Sequence, residues 1–192
     1  MAKKKYNTID LFCGCGGLLD GFMQEGSYNT LACVEWEKYP SETLTNRLAT
    51  KWKHKNAQKE VIRFDIQRTE ELINGFKDKE YGESVGLEKL VNGKKVDVVI
   101  GGPPCQAYSL VGRAQSSHMS HPMSEDPRNE LYKLYARVLK RYHPRMFVFE
   151  NVMGISSANE GATFKNLTKY LRRVGYEIEW HEQNSKNFGV LQ

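Results

Sequence analysis

The run Val96-Asp97-Val98-Val99-Ile100 is β-branched, apolar and of strand length, and Gly101-Gly102-Pro103-Pro104 cuts it off at once. This junction constrains the fold more than any other stretch of the chain. A short apolar run bounded by turn residues reads as a buried strand. The two prolines can extend neither a ladder nor a helix, so the backbone must leave the sheet there. The next side chain, the thiol of Cys105, is then presented at the sheet edge. Other apolar runs of similar length alternate with amphipathic stretches of helix length, the pattern of βα units on a parallel sheet. In an open sheet of that kind ligands bind beyond the carboxyl ends of the strands, so the residues following each run are the candidates for chemistry.

The runs predict strands over Tyr6 to Phe12, Thr30 to Val34, Val61 to Ile66, Val96 to Ile100, Met146 to Phe149 and Tyr176 to Trp180. Helices are predicted near Leu18 to Gln24, from about Pro40 to Leu48, from Pro127 to Arg141 and from Ala162 to Val174. In the third of these, Leu131, Leu134, Tyr135, Val138 and Leu139 fall on one face. Lys77 to Lys95 is charged and glycine-bearing with weak periodicity, and reads as an insertion with some helix. Gln106 to Asp126 is rich in Ser, Gly, His and Met and aperiodic, a long loop directly after the candidate thiol. Loops of that length are functional or disordered. Within it, His118 and His121 are phosphate contacts or merely solvated. The expected fold is α/β and Rossmann-like, one domain over residues 1–192, with a mostly parallel central sheet and helices on both faces.

Composition narrows the function classes. No apolar run approaches a membrane span, and the basic start Met1-Ala2-Lys3-Lys4-Lys5 leads into a strand without a signal-peptide apolar region. A soluble, cytoplasmic protein is the expectation. The four cysteines, Cys13, Cys15, Cys33 and Cys105, include no CxxC pair and have no histidine close in sequence, so no metal site is expected. A net charge of +5 permits a polyanionic partner and equally fits a solvated basic surface.

Four stretches carry chemistry-bearing residues. The first is Ile9-Asp10-Leu11-Phe12-Cys13-Gly14-Cys15-Gly16-Gly17, where a strand ends and a helix begins. Its glycines allow close approach of a ligand to the backbone, and the helix start offers unpaired amides. A dinucleotide fingerprint GxGxxG would need glycine where Leu19 stands, which weakens a dehydrogenase reading. Phe12 can cover a ligand; a plain tight turn is the competing reading. The second is Glu35-Trp36, a carboxylate about 20 residues beyond the glycine turn, placed for ribose hydroxyls, beside an indole able to stack on a purine. The third is Asp65 in Phe64-Asp65-Ile66, able to accept from an adenine amino group. Together they describe an adenosine pocket without a phosphate-binding loop, which suggests S-adenosylmethionine as cofactor. The fourth is Glu150-Asn151-Val152, directly after a buried strand. Partial desolvation there would raise a carboxyl pKa enough for proton donation near neutrality. A glutamate that simply caps a helix is the alternative.

These residues resemble the C5-cytosine DNA methyltransferases. DLFCGCGG, the Glu35-Trp36 pair, Asp65, GGPPCQAYS, Asp126-Pro127-Arg128 with Leu131, FENV and NFGVLQ occur in that family's order, from Ile9 to Gln192. The resemblance implies a Rossmann-like S-adenosylmethionine-dependent methyltransferase fold. It implies cofactor contacts from Asp10, Phe12, Gly14, Gly16, Gly17, Glu35, Trp36, Asp65, Ile66, Pro104 and Leu131. It assigns Cys105 as nucleophile and Glu150 to N3 of the target base, with Gln106, Ser109, Arg113 and Asn151 as nucleic-acid contacts. The substrate implied is a cytosine in double-stranded DNA, which must be flipped out of the helix to be reached.

The sequence ends at Gln192, where the family's QxRxR motif begins. The expectation is therefore a partial catalytic domain without a target-recognition region, with little activity alone. A second polypeptide could supply the missing region. A bacterial, nucleoid-associated enzyme is expected, its role open among restriction–modification, orphan and phage functions. Two rivals stand beside this reading. One is the tRNA-modifying branch of the same fold, which usually carries a sequence resembling PCQPFTR where this chain has Ala107-Tyr108-Ser109 after the nucleophile. The other is a non-catalytic module that binds cofactor or nucleic acid.

Overall fold

Five strands form one parallel sheet in the order β3-β2-β1-β6-β7. They are β1 Tyr6–Leu11, β2 Tyr28–Glu35, β3 Val61–Arg63, β6 Val98–Gly101 and β7 Met146–Phe149. The helices are α1 Gly17–Glu25, α2 Lys38–Thr50, α3 Ala57–Glu60, α4 Thr69–Asn74, α5 Gly86–Val91, α6 Leu131–Tyr142, α7 Gly154–Ser157 and α8 Ala162–Arg173. A separate antiparallel hairpin pairs β4 Phe76–Asp78 with β5 Gly82–Ser84. This computed structural model describes residues 5–104 and 130–190. The described residues divide into two compact units, 5–104 with 130–151 and 152–190.

Register sorts the first unit into two faces. Asp10 lies opposite Cys33 on one side and Ile100 on the other, and paired residues of a parallel sheet point to the same face. That face packs beneath α1 and α2, where Cys13, Leu19, Cys33, Leu44, Leu48, Val98 and Ile100 form one apolar cluster. Ile9, Leu11 and Val99 alternate to the opposite face. There α6 lays the fully buried Tyr135 against Phe147 and Phe149, at ring-centroid distances of 6.0 and 5.2 Å. The Tyr135 hydroxyl is shared between the carbonyl oxygens of Val99 (2.9 Å) and Val148 (3.1 Å), joining α6 to two strands. The predicted α/β sheet with helices on both faces is thus observed.

Three differences from the sequence reading have physical causes. The predicted strand Val61 to Ile66 stops at Arg63, because Asp65 turns the chain: its Oδ1 accepts from the Gln67 amide and its carbonyl from the Arg68 amide. The predicted insertion Lys77 to Lys95 contains the β4–β5 hairpin and α5. Asp78 organises the hairpin turn by accepting from the amides of Glu80 (2.8 Å) and Tyr81 (3.0 Å). The predicted strand Tyr176 to Trp180 is not formed. Glu177, Glu179 and Trp180 are all exposed, so both faces of the segment meet solvent, and it pairs with no strand among the described residues. The second unit, over its described residues, carries α7, α8 and a 3-10 turn at Ser185–Phe188. In it Phe164 meets Trp180 edge-on, with centroids 5.6 Å apart. No helix among the described residues is long and apolar enough to cross a membrane.

Candidate active site at the carboxyl edge of the sheet

All five sheet strands run parallel. The residues that follow β1, β2, β3, β6 and β7 therefore gather on one edge, as the sequence reading required.

The turn after β1 is built by backbone conformations that few side chains allow. Phe12, Gly14 and Gly16 take φ of 56°, 52° and 82°. A Cβ on Gly16 would fall 2.5 Å from Leu44 Cδ1, so glycine there lets α2 pack against the turn. At Gly14 a Cβ would meet nothing within 4 Å, which leaves open space over the turn. The turn is held from β2: the Gly14 amide donates to Glu35 Oε2 at 2.7 Å, and the Glu37 amide donates to Glu35 Oε1 at 2.8 Å. Each carboxylate oxygen has a second lone pair, so the clasp fixes Glu35 while leaving it able to accept a hydroxyl.

Trp36 projects from the end of β2 with 56% of its surface exposed. Its indole N–H donates to the Tyr81 hydroxyl at 2.9 Å. Asp65 is half-buried; one oxygen accepts from the Gln67 amide, and no partner of its other oxygen is found among the described residues. Ile66 and Leu131 are buried, at 6% and 8% exposure, and line the apolar body of the unit rather than its surface. Gly17 opens α1.

Asp10 is the one charged-type residue of the first motif that faces inward. It is buried beneath α1, and neither carboxyl oxygen has a hydrogen-bond partner among the described residues. Burial, reinforced by the negative charge of Glu35, holds its pKa well above the usual carboxyl range. Burial, together with a bond to Cys33, likewise raises the Cys13 thiol. An inert Cys13 follows.

At the other end of the edge, the glycine-proline segment and Glu150 meet. The Glu150 amide donates to the Gly101 carbonyl at 2.9 Å, and a Cβ on Gly102 would lie 2.5 Å from Glu150 Oε2. Glycine at 102 therefore makes room for the carboxylate. Asn151 Nδ2 donates to the Pro103 carbonyl at 3.0 Å. Its amide is thus engaged in holding the segment that leads to Cys105, a role the sequence reading, which gave it to nucleic acid, did not contain. Pro103 is buried and Pro104 exposed. Glu150 is itself exposed, so the expected desolvation of its carboxyl is not provided. Cys105, Gln106, Ser109 and Arg113 lie outside the described residues. Sequence reasoning missed Tyr81, because the stretch holding it has only weak periodicity, and missed Gly102, whose signal was the doubled glycine before Pro103.

The donor set fits an adenosine-bearing ligand: open space over Gly14, a clasped carboxylate with spare lone pairs, an exposed indole face and a free acceptor on Asp65. The residues after β6 and β7 add a second carboxylate, that of Glu150, beside Gly102.

Comparison with known proteins agrees with this geometry. The sequence model described as C-5 cytosine-specific DNA methylase matches residues 6–192. The Type II methyltransferase M1.HphI of Haemophilus parahaemolyticus is 33% identical over 184 residues, covering 96% of this chain and 42% of that protein. The Type II methyltransferase M.Bpa9945I of Bacillus paralicheniformis is 31% identical over 208 residues, covering 89% of this chain and 46% of its own length. The chain thus spans less than half the length of these curated relatives. A solved structure from E. coli, of a prophage-encoded protein assigned to the DNA modification methyltransferases, superposes with a TM-score of 0.58 at 23% identity. It covers 88% of this chain and 38% of that one, a likeness of fold.

Proposed function

The chain belongs to the C-5 cytosine-specific DNA methylase family, and from that membership we propose that it carries the catalytic residues for methylating C5 of a flipped-out cytosine in double-stranded DNA. The observation that carries the reading is a juxtaposition on one sheet edge. The Glu35 clasp on Gly14 stands at the ends of β1 and β2, and the Glu150 carboxylate lies against Gly102 at the ends of β6 and β7.

The family's cofactor is S-adenosylmethionine. The proposed binding residues are Asp10, Phe12, Gly14, Gly16, Gly17, Glu35, Trp36, Asp65, Ile66, Pro104 and Leu131. Glu35 accepts the ribose hydroxyls, Trp36 stacks on the adenine and Asp65 accepts from its amino group. Ile66, Leu131 and Asp10, being buried, act by shaping the wall beneath. When bound, S-adenosylmethionine supplies an electrophilic methyl group to C5 of the base.

C5 of cytosine is a poor nucleophile, and the chain's residues correct that. The Cys105 thiolate adds to C6, forming an S–C6 bond and moving the C5–C6 π electrons into the ring as an enamine. Glu150 hydrogen-bonds or protonates N3, stabilising the charge pushed into the ring, a contribution of about 10²–10⁴-fold for a general acid. After methylation, loss of the C5 proton and expulsion of Cys105 restore the aromatic ring. Asn151 holds the Pro103 carbonyl and thereby the path of the chain into Cys105. Gln106, Ser109 and Arg113 contact the nucleic acid. Base reading is assigned to the portion of the relatives that this chain does not cover, whether carried on the same polypeptide or on a second one. The isolated 192 residues are accordingly expected to turn over slowly. A DNA substrate implies work at the nucleoid.

The test is a single-turnover trap. The chain is incubated with S-adenosylmethionine and a duplex bearing 5-fluorocytosine opposite an abasic site, where extrusion costs little. Fluorine at C5 cannot leave as a proton, so the adduct persists. A covalent protein–DNA species that disappears in Cys105→Ala is expected. No adduct, an adduct unchanged in Cys105→Ala, or trapping on fluorinated tRNA in place of the duplex would contradict the reading.

A further inference from the structure

The β4–β5 hairpin sits in the stretch that had no role in the sequence reading, and its turn delivers one side chain to the candidate cofactor edge. Tyr81 reaches Trp36, 45 positions earlier, and accepts the indole N–H at 2.9 Å. Its ring is itself fixed from two sides. The Phe64 ring meets it edge-on with centroids 5.2 Å apart, and the Arg63 guanidinium lies over it 5.0 Å from the centroid. Phe64 in turn stacks on Phe76 of β4 at 3.8 Å. Arg63 Nη1 also donates to the Glu80 carbonyl at 2.9 Å. Below the turn, Asp78 accepts the Glu80 and Tyr81 amides and an Arg68 N–H at 2.8 Å. That Arg68 bond, first, and the two amides hold its pKa down to about 2, so the turn keeps its charged anchor across neutral pH.

Trp36 itself stands largely in solvent. More than half its surface is exposed. A large exposed aromatic with one fixed hydrogen bond to a braced partner is an indole held in place for something to cover it. Tyr81 also joins the ends of β2 and β3 in one unit, since it bonds Trp36 and packs on Phe64, the residue before Asp65.

We propose that Tyr81 is a positioning residue for the cofactor: through the indole N–H it presets Trp36 as a stacking platform and so sets affinity for the adenine of S-adenosylmethionine. The proposal rests on the adenosine reading of the site and deepens it. Without the hydroxyl, Trp36 must be ordered at the moment of binding. Immobilising such a side chain, or losing one neutral hydrogen bond, weakens binding by about three- to tenfold.

Calorimetric titration of S-adenosylmethionine into the 192-residue chain and into its Tyr81→Phe, Trp36→Phe and doubly substituted variants tests this. Tyr81→Phe keeps the ring against Phe64 and Arg63 and removes only the hydroxyl. The expected Kd rises about three- to tenfold in Tyr81→Phe, with a melting temperature within about 3 °C of the parent. In the Trp36→Phe background the same substitution is expected to change Kd by less than about twofold, because the two act as one unit. A parent that binds while Tyr81→Phe binds equally well overturns the proposal alone. A loss in Tyr81→Phe that persists undiminished without Trp36 also overturns it, since the hydroxyl then acts through hairpin packing. A folded parent that binds no S-adenosylmethionine overturns the adenosine reading itself, and the proposal with it.

Discussion

Gly101 and Gly102 are neighbours in sequence, yet the structure gives them opposite sensitivities. Gly101 is the last residue of β6, paired with Leu11 on one side and Phe149 on the other. A Cβ there would drive into the Leu11 carbonyl oxygen, and would also stand 3.1 Å from the Tyr135 ring. The first obstacle is central-strand backbone and cannot step aside without parting β1 from β6. Overpacking of this kind costs about 1–3 kcal/mol and more where backbone must move, so Gly101→Ala is expected to lose about 3 kcal/mol. For a chain of this length that lowers the melting temperature by about 6–12 °C. A Cβ on Gly102 meets only Glu150 Oε2, at 2.5 Å, the far end of an exposed and rotatable side chain. Swinging it aside costs about 0.5–1.5 kcal/mol, offset by the roughly 0.4–1 kcal/mol that alanine gains over glycine through the unfolded chain. Gly102→Ala is therefore expected to melt within about 4 °C of the parent. The displaced carboxylate should instead appear in the chemistry, as a fall of about 10²-fold in the rate of covalent trapping on 5-fluorocytosine. Calorimetric melts of the three proteins, with the trap rates beside them, give the comparison. Equal melting losses for the two variants, or a Gly101→Ala protein as stable as the parent, would refute the steric reasoning.

Other expectations follow from single groups. Glu35→Gln replaces one of the two oxygens that receive the Gly14 and Glu37 amides by a donor, and S-adenosylmethionine affinity measured by calorimetry should fall at least tenfold, about the effect of losing a charged hydrogen bond. Asp10 has a folded-state pKa raised above its unfolded value, so the native state holds the proton longer. Its burial is harmless below the unfolded carboxyl pKa and costs increasing stability as pH rises through the interval up to the raised value. Asp10→Asn, which loses no hydrogen bond to any described residue, should be at least as stable as the parent at pH 7 in urea melts, with the advantage shrinking toward pH 4. Tyr135→Phe removes the hydroxyl shared by Val99 and Val148 and should cost about 1 kcal/mol by the same melts, leaving cofactor affinity unchanged.

Much of this architecture was legible because it depends on local signals. The β-branched runs, the Gly101-Gly102-Pro103-Pro104 stop and the 3.6-residue stripe of α6 place strands and helix directly, and parallel strands force their following residues to one edge. What escaped depends on contacts far apart in sequence. The β4–β5 hairpin is made by Asp78 collecting two amides and Arg68, and by Phe64 stacking on Phe76, none of which leaves a period. The pattern at 176–180 misled because alternation states which side chains would share a face and says nothing of a neighbouring ladder. The exposure of Glu150 and the engagement of Asn151 with Pro103 are likewise tertiary facts. Trp36 is the instructive case: its place at the end of β2 was readable, while Tyr81, the partner that fixes it, was not.

Glu35, clasped to the Gly14 turn at the carboxyl edge, is the residue on which the proposed cofactor pocket depends most directly. Titrating S-adenosylmethionine into the 192-residue chain and into Glu35→Ala by calorimetry measures that. Saturable binding at one site is expected in the parent, and its loss in a Glu35→Ala protein that is still folded by circular dichroism. Binding that Glu35→Ala leaves intact, or a folded parent that takes up no S-adenosylmethionine, would contradict it.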